Sequence, residues 1–359
     1  MKLAIISVTT QGAQLGQYLH KMMSDECRCV VYEKAGRQSG GRAEYYESLQ
    51  TLLKENWRDY EGFIFIMAVG IVVRSIANII KHKAADPAVV VIDEMANNCI
   101  SLLAGHIGGA NDLTKIVSGL VGANAVVTTA SDVNGLVTPD AVSKKLNLAI
   151  DSFAMLIQVN AEIVAKEKVS YYVDPALPEA REFIDRASIL GLDFASLPDD
   201  GDFSDSKALV FVSENINKKI TFEKVLYLRP RNIVAGIGCR RGMSGESLHH
   251  ALTEALLSNS YSVKSLQAIT SAWVKEDEQG LLELAKTLNV PIYFYDEKTL
   301  QASIDKNKLL ESDFVKKEIG VGNVCEAAAL AHSREAVIVK QKQSYGKITV
   351  ALARVNFLS

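Results

Sequence analysis

The sequence predicts a multi-domain α/β protein. It has a doubly wound, mostly parallel sheet at the N-terminus, a small middle α/β domain, and a C-terminal α/β domain with a mixed sheet. Three observations predict this class. The 359 residues exceed what one hydrophobic core usually serves. The content of 48% hydrophobic and 23% charged residues is that of ordinary globular domains. Strand-length apolar runs alternate with helical patterns. We predict domains over 1–138, 139–229 and 230–359.

The N-terminal domain is predicted from continuous apolar runs, which are typical of strands buried on both faces of a parallel sheet. The runs are KLAIISV, CRCVVYEK, GFIFIMAVG, AVVVID and NAVVTT. Helical patterns separate them, including one around residues 44–56 and one in GGANDLTKIVSGL. Sheets of this kind bind ligands at the carboxyl ends of their strands, so the loops there are the first places to search for a site.

The remaining chain is predicted to form two smaller α/β domains. The middle region has two short strands, ALVFVS and KVLYL, and RPRN at 229–232 is a plausible linker. The C-terminal region begins with the strand NIVAGIG and a helix from about Ser244 to Leu257. It ends with AVIVKQK and KITVALARV, which we expect to pair as an antiparallel hairpin.

Charge and composition exclude several classes of protein. The formal net charge of −3 provides no basic footprint for nucleic acid, so local clusters of Arg and Lys must hold any anionic ligand. Since no stretch of 18 apolar residues occurs, we expect no membrane span. The five scattered cysteines are typical of reduced thiols, and we expect a cytoplasmic protein. No spacing of His, Cys and Asp predicts a protein-bound metal.

The loop AGIGCRRGMSGES resembles the start of a dinucleotide-binding motif, but its third glycine comes four residues after Gly238 instead of three. Arg240 and Arg241 precede a helix N-terminus, which favours a carboxylate or a phosphate. A structural turn with solvated arginines is the alternative. We expect the pKa of the Cys239 thiol to be lowered in this basic loop, although no sequence feature pairs it with a base.

The segment SLLAGHIGGAND combines glycines with a histidine that titrates near neutral pH. His106 beside the backbone N–H groups of Gly108 and Gly109 suits a general base next to an oxyanion hole. Asn111 suits either a substrate contact or a helix cap. The alternative is a loop histidine that only hydrogen-bonds the backbone.

Polar side chains also follow three predicted strands. Asp93 and Glu94 end DPAVVVIDE, and Arg74 lies in the first turns of the helix after GFIFIMAVG. Thr128 and Thr129 begin TTASD after another strand. We expect these strand ends to meet at one edge of the sheet. Helix capping or solvent exposure is the alternative for the two acids.

Glu326 lies in the Ala-rich helical segment GNVCEAAAL near the C-terminus. A carboxylate there suits either a ligand contact or a structural ion pair, and the sequence leaves both open.

Seven of these strings resemble those of the cobalt-precorrin-5A hydrolase family of anaerobic cobalamin biosynthesis, in the family's order and across nearly the whole chain. They are AVGIVVRSIA, DPAVVVIDE, ISLLAGHIGGAND, VVTTASD, GIGCRRG, EQGLLELAKTL and GVGNVCEAAAL. The middle region resembles the family only loosely. The C-terminal part also resembles a stand-alone protein of the aerobic pathway.

The resemblance implies a reaction and a substrate. Water opens the ring A δ-lactone of a cobalt-containing tetrapyrrole, and the C20 carbon leaves as acetaldehyde, giving cobalt-precorrin-5B. The cobalt belongs to the substrate, so no separate cofactor is expected. The partners expected are this cobalt-corrinoid and, transiently, neighbouring pathway enzymes. A non-catalytic carrier of a corrinoid intermediate is the alternative function.

Under this resemblance, the candidate residues take hypothetical roles. His106 would activate water, oriented by Asp93 or Glu94. The N–H groups of Gly108 and Gly109 would stabilise the oxyanion.

The remaining candidates would bind the substrate between the N- and C-terminal domains, with the three arginines clamping its carboxylate arms. These candidates are Arg74, Asn111, Thr128, Thr129, Gly238, Cys239, Arg240, Arg241 and Glu326.

Overall fold

The computed structural model describes residues 1–24, 27–82, 85–105, 108–198 and 201–359. The chain divides into two compact units, Met1–Ala141 and Val142–Ser359. Within these described ranges, no helix is long and apolar enough to cross a membrane. The mixed α/β class with several sheets is confirmed, and the three domain boundaries stay a prediction.

The first unit contains a seven-stranded sheet in the order β3-β2-β1-β4-β5-β6-β7. Its strands are β1 (Lys2–Ser7), β2 (Arg28–Lys34), β3 (Glu44–Tyr46), β4 (Gly62–Ile66), β5 (Ala88–Ile92), β6 (Asn98–Leu103) and β7 (Asn124–Val126). Its helices are α1 (Thr10–Met23), α2 (Leu49–Asn56), α3 (Val69–Ile76), α4 (Ala110–Val121) and α5 (Ala130–Val133). The helix expected around 44–56 is therefore a short strand followed by α2.

Both faces of this sheet are covered, which explains the continuous apolar runs. Every residue of β5 is buried to 1% exposure or less. Alternate side chains along each strand point to opposite faces of the sheet. Those on one face pack with α2 and α3, and those on the other face pack with α1 and α4. Phe63 and Phe65 of β4 stack on the first face, and a buried Phe contributes about 1.5–3 kcal/mol.

Strand β6 reverses the direction of the sheet. Strands β1 to β5 are mutually parallel, whereas β6 is antiparallel to β5, with Val89 opposite Leu103 and Ile92 opposite Cys99. Strand β7 is parallel to β6. The carboxyl ends of β6 and β7 therefore lie at the edge opposite those of β1, β4 and β5. The expectation that the three polar strand ends meet at one edge is wrong.

The second unit contains two five-stranded sheets, in the orders β10-β9-β11-β12-β8 and β15-β14-β13-β17-β16. The strands are β8 (Leu148–Ile150), β9 (Val169–Val173), β10 (Ala195–Ser196), β11 (Ala208–Val212), β12 (Val225–Pro230), β13 (Ile233–Cys239), β14 (Leu266–Ala272), β15 (Ile292–Tyr295), β16 (Val337–Tyr345) and β17 (Ile348–Arg354). Strands β13, β14 and β15 are parallel, and β17 pairs antiparallel with both β13 and β16. The predicted terminal hairpin and mixed sheet are confirmed.

Eight helices, counted over the described residues, complete this part of the chain. They are α6 (Pro139–Lys145), which includes the boundary between the units, α7 (Phe153–Val164), α8 (Ala180–Ile189), α9 (Gly245–Leu257), α10 (Gln279–Leu288), α11 (Glu297–Asn307), α12 (Asp313–Ile319) and α13 (Cys325–Ala331). The Ser244 hydroxyl accepts from the Ser247 N–H and caps α9, as the sequence predicts.

Candidate functional site

A cavity of about 920 Å³ lies in the second unit where the parallel strands β13 and β14 end. Its floor includes Gly238 and Cys239 of β13 and Ser271 of β14, and the start of α13 forms one wall. Carboxyl ends of adjacent parallel strands are where sheets of this kind bind ligands. The volume is in the range of pockets that hold small-molecule ligands.

The cavity has basic side chains and an apolar wall. Among its described lining residues, four are basic and none is acidic: Arg240, Lys275, Lys342 and Lys347. The apolar lining residues are Ala272, Val274, Val315, Ile319, Val324 and the first residue of α13. The Lys275 side chain is only 15% exposed, and its ammonium lies 3.7 Å from a Glu278 oxygen. This arrangement suits a large ligand with an apolar body and several carboxylates.

The two adjacent arginines of the loop have different contacts. Arg240 lines the cavity, and its backbone N–H donates to the Lys347 carbonyl at 3.1 Å. Arg241 donates to both Asp277 oxygens, at 2.9 and 3.0 Å, and to the Val274 carbonyl at 2.9 Å. The structure thus brings Arg240 to the cavity, whereas Arg241 forms an ion pair with Asp277 through one guanidinium nitrogen and does not line the cavity. The expectation that both clamp the ligand is not supported for Arg241.

Two thiols face the cavity, from Cys239 and Cys325. Burial raises the pKa of Cys239; Lys275 opposes this shift and Glu278 adds to it. The expected lowering of this pKa is therefore wrong, because the loss of hydration outweighs the nearby ammonium. Burial also raises the pKa of Cys325 to about 12. Neither thiol has the lowered pKa that is typical of a nucleophilic cysteine.

The glycines of the GIG segment permit close packing of α13 on β13. A Cβ at Gly236 would lie 1.8 Å from the Cys325 carbonyl oxygen, and one at Gly238 would lie 3.0 Å from the Cys325 sulfur. These glycines therefore bring α13 against the sheet. The glycines that resemble a dinucleotide-binding motif are explained by this packing of α13 on β13.

Glu326 stabilises the cavity wall without lining the cavity. It is 7% exposed and is absent from the described lining residues. One carboxylate oxygen accepts from the Lys342 backbone N–H at 3.1 Å, and the other accepts from the Asn323 amide at 2.5 Å. Of the two interpretations that the sequence left open, this geometry favours the structural one, although by hydrogen bonds to an amide and the backbone. Glu326 holds β16 to the start of α13.

In the first unit, the glycine-rich loop follows β6. His106 lies outside the described residues. Gly109 has φ +87° and ends the loop directly before α4. Gly108 cannot carry a side chain, since a Cβ would lie 2.4 Å from the Ala104 Cβ. Ala104 itself is left-handed, with φ +58°.

Asn111, at the start of α4, forms hydrogen bonds with three side chains next to this loop. It is 3% exposed, accepts from the Ser101 hydroxyl at 2.6 Å, and donates to Thr129 at 3.2 Å and Asp132 at 2.8 Å. Asn111 and Thr129 are thus brought together, whereas the neighbouring Thr128 is exposed.

Asp93 and Glu94 occupy the turn from β5 to β6, at the other edge of the sheet. Asp93 accepts from the backbone N–H groups of Met95, Asn97 and Asn98. Burial acts to raise the pKa of Asp93, but these donors bring it below its usual value. Glu94 accepts from the Thr9 hydroxyl at 2.6 Å.

The length of β5 separates this turn from the glycine loop by on the order of 15 Å, at about 3.3 Å per residue. The described neighbours of His106, Gly105 and Gly108, thus lie far from both acids. The structure argues against Asp93 and Glu94 as the carboxylates that serve the glycine loop. The hydrogen bonds of Asp93 are those of a turn former.

Arg74 lies at the same edge as Glu94. Its side chain is exposed and folds back along α3, and a Cβ on Gly70 would lie 3.4 Å from its guanidinium. Within the part of the chain that the structure describes, Arg74 makes no hydrogen bond or ion pair. It is placed to meet an anion in solution, but not beside Asn111 or Thr129.

Sequence reasoning missed several lining residues, chiefly Ser271, Asn323, Lys342 and Lys347. Lys342 and Lys347 come from the terminal hairpin, whose pattern predicts a strand pair and no site. One sequence feature could have revealed them. If the hairpin is placed beside the strand NIVAGIG, its turn lies at the same edge of the sheet as the end of that strand.

Two family models match this chain. The model described as "Cobalamin synthesis G N-terminal" matches residues 51–132, and "Cobalamin synthesis G C-terminus" matches residues 233–353. The second range contains every described residue that lines the cavity, and the first contains the glycine loop and the turn after β5.

Full-length and partial relatives are also similar to the chain. A cobalt-precorrin-5A hydrolase of Priestia megaterium is 31% identical over 360 residues, covering 99% of this chain and 95% of the relative. One of Salmonella typhimurium is 32% identical over 351 residues, covering 98% and 97%. Protein CobE of Sinorhizobium sp is 32% identical over 123 residues, which cover 34% of this chain and 79% of CobE.

Proposed function

The chain belongs to the cobalt-precorrin-5A hydrolase family, and from this membership we propose that it hydrolyses cobalt-precorrin-5A during cobalamin biosynthesis. Water adds to the carbonyl carbon of the ring A δ-lactone, and the acyl C–O bond breaks to leave a carboxylate and a hydroxyl on C20. Loss of that hydroxyl's proton then lets the bond between C20 and the macrocycle break, so that C20 leaves with its methyl group as acetaldehyde and the bonding electron pair stays on the macrocycle. The product is cobalt-precorrin-5B. The cobalt enters with the substrate, and we propose no further cofactor.

The observation that carries this proposal is the basic, apolar-walled cavity of the second unit. The four cations suit the acetate and propionate arms of a tetrapyrrole, and the apolar wall suits the face of its macrocycle. The Lys275 side chain is only 15% exposed, so a carboxylate bound to its ammonium is less screened by water than one bound to an exposed lysine. We propose that Lys275 and Arg240 are the main contacts of these arms.

For the chemistry, we propose His106 as an acid–base group of the lactone opening. The N–H groups of the glycine loop around Gly108 and Gly109 would stabilise the oxyanion, an effect of about 3–4 kcal/mol per good donor. Asn111 and Thr129 are hydrogen-bonded to each other beside this loop, and we propose that the exposed Thr128 contacts the substrate. We further propose that Arg74 binds an arm, that the enzyme works in the cytoplasm, and that it contacts neighbouring pathway enzymes transiently.

The rival function is a non-catalytic carrier of a corrinoid intermediate. The likeness to protein CobE, which covers a third of this chain, is the reason to keep it. A carrier needs a binding cavity but no acid–base group, so turnover separates the two functions.

The test is acetaldehyde release from cobalt-precorrin-5A made in situ without oxygen, followed with alcohol dehydrogenase and NADH. We expect protein-dependent acetaldehyde and a strong loss of turnover in His106→Ala with corrinoid affinity retained within a few-fold. Binding without release would establish the carrier and exclude the hydrolase.

A matched pair of variants tests the cavity. Lys275→Ala should weaken corrinoid binding about tenfold or more, since a charge-assisted contact contributes about 1.5–3 kcal/mol. Lys286→Ala removes an exposed lysine of α10 and should leave the affinity unchanged. Equal affinities in the two variants would exclude the cavity as the binding site.

A further inference from the structure

The edge of the first unit where β6 and β7 end carries a carboxylate to which no role has been assigned. The glycine loop there is closed by two backbone hydrogen bonds, from Ala110 N–H to the Ala104 carbonyl at 3.1 Å and from Asn111 N–H to the Gly105 carbonyl at 3.0 Å. Ala104 holds a left-handed backbone, with φ +58°, which non-glycine residues seldom adopt. A backbone held in this way is typical of a functional loop.

The Asn111 amide is locked next to this loop. Its oxygen accepts from the Ser101 hydroxyl, and its nitrogen donates to Thr129 and to Asp132. Because an ionised carboxylate only accepts, the Asn111 nitrogen must face Asp132, which determines the orientation of the amide. A Cβ at Gly105 would lie 2.7 Å from the Asn111 oxygen, so the glycine loop contacts the same amide.

Asp132 is therefore held in one orientation and still reaches solvent. Its Oδ2 accepts from Asn111 at 2.8 Å, and its Oδ1 lies 3.4 Å from the Lys115 ammonium. The Asp132 side chain is 18% exposed and that of Lys115 is 57% exposed. A carboxylate aimed by a buried amide and left partly accessible has the geometry of an acid–base group.

We infer that Asp132, rather than Asp93 or Glu94, is the carboxylate that acts on the lactone; this inference rests on the proposed function. Asp132 takes a proton from water while the water oxygen bonds to the lactone carbonyl carbon. When the tetrahedral intermediate collapses, the acyl C–O bond breaks and the C20 oxygen takes up a proton from His106, the acid–base group proposed above, while Asp132 returns its proton to solvent. Asn111 is the positioning residue for Asp132.

The first test compares Asp132→Asn with Asp112→Asn, which changes an exposed carboxylate in the first turn of the adjacent helix α4. Asp132→Asn should lower kcat for acetaldehyde release by about 10²–10⁴-fold, the usual contribution of a general base. Corrinoid affinity, from absorption titration, should stay within a few-fold. Asp112→Asn should match the wild type in both. An Asp132→Asn enzyme with near-normal kcat would overturn the inference.

A second pair separates chemistry from structure. Lys115→Met breaks the ion pair but keeps the Asp132 carboxylate, so kcat should stay within a few-fold. If Asp132 only ties α5 to α4, Lys115→Met and Asp132→Asn should lower the melting temperature and kcat in parallel, which overturns the inference. Asp132→Glu should recover part of the activity lost in Asp132→Asn.

Failure of the proposed function can be distinguished from failure of this inference, because the wild type itself would then release no acetaldehyde. Release by the wild type and by Asp132→Asn, with none from His106→Ala, would keep the hydrolase and remove Asp132 from the mechanism.

Discussion

At the scale of single residues, neighbouring side chains of one motif have different tasks. Arg240 and Arg241 are adjacent in sequence, but only Arg240 lines the cavity, while Arg241 joins its loop to Asp277 and Val274. At an exposed position, this ion pair together with the bond to the Val274 carbonyl orients the loop more than it adds stability. The identity of a residue therefore predicts its possible partners, and the fold selects among them.

The two arginines should respond differently to substitution. Arg240→Ala should weaken corrinoid binding about two- to fivefold, the range of a single exposed ion pair. Arg241→Ala should leave the affinity unchanged but increase hydrogen exchange in the loop from Gly242 to Ser244, because the contacts to Asp277 and Val274 are lost. Absorption titration and hydrogen-exchange mass spectrometry measure the two effects. Equal losses of affinity would place both guanidinium groups on the ligand.

The reactivity of Cys239 should follow its raised pKa. Burial and Glu278 raise this pKa and Lys275 lowers it, with burial dominant, so at pH 7 the thiolate fraction is below that of an ordinary cysteine. Alkylation of Cys239 by iodoacetamide should therefore be slow at pH 7 and should rise with pH. It should be slower still in Lys275→Met and faster in Glu278→Gln. Site-resolved mass spectrometry measures the rate, and a plateau already reached at pH 7 would contradict the prediction.

At the scale of elements, the cavity depends on how closely α13 approaches β13. That approach is possible because Gly236 has no side chain where the Cys325 carbonyl lies. Since interiors are close-packed, even one added methyl group must move the helix. The position of the cavity wall thus depends on Gly236, which does not itself line the cavity.

Substitution of Gly236 should therefore destabilise the protein strongly. Gly236→Ala places a Cβ 1.8 Å from a backbone oxygen, and we expect a loss above the about 1–3 kcal/mol typical of overpacking. Gly238→Ala meets only the Cys325 sulfur, at 3.0 Å, and should cost less. Gly119→Ala, in α4 with nothing within 4 Å, is the control and should be neutral or up to about 1 kcal/mol stabilising. Thermal melts should rank the three in this order.

The alternation of strands and helices could be predicted from sequence, but the direction of β6 could not. The reversal between β5 and β6 is made by the Asp93 carboxylate, which accepts from successive backbone N–H groups without a glycine or proline to mark the turn. Because the sequence gives no signal for this turn, Asp93 and Thr129 were expected at the same edge of the sheet. Gly238, Cys239 and Arg240 could be predicted because they adjoin in sequence, whereas Lys342 and Lys347 reach the cavity only through strand pairing.

At the scale of the second unit as a whole, a partly buried ion network joins its two sheets. Arg354, the last residue of β17, donates to both oxygens of Glu179, and its Nε donates to Glu214 at 3.0 Å. Glu214 also accepts from Asn232 at 2.5 Å. The Arg354 side chain is 15% exposed, so these charges are largely removed from water. Such a network couples the sheets because both carboxylates share one guanidinium as their cation.

Removal of Arg354 should therefore separate the unfolding of the two sheets. Arg354→Met leaves the partly buried Glu179 and Glu214 without their cation, and the cost should be at most about 3–5 kcal/mol, which is that of breaking a fully buried pair. Calorimetry should show a lower melting temperature and a broader transition for the second unit.

Lys168→Met is the control, since the side chains of its ion pair with Asp205 are 60% and 84% exposed and the pair should contribute at most about 1 kcal/mol. The triple variant Arg354→Met, Glu179→Gln, Glu214→Gln tests the cause. It should recover much of the loss, because the cost lies in the two unpaired carboxylates and not in lost packing. If the triple variant is no more stable than Arg354→Met, the guanidinium acts by packing alone, and the sheets are held together by contacts such as that of Phe183 with Phe357.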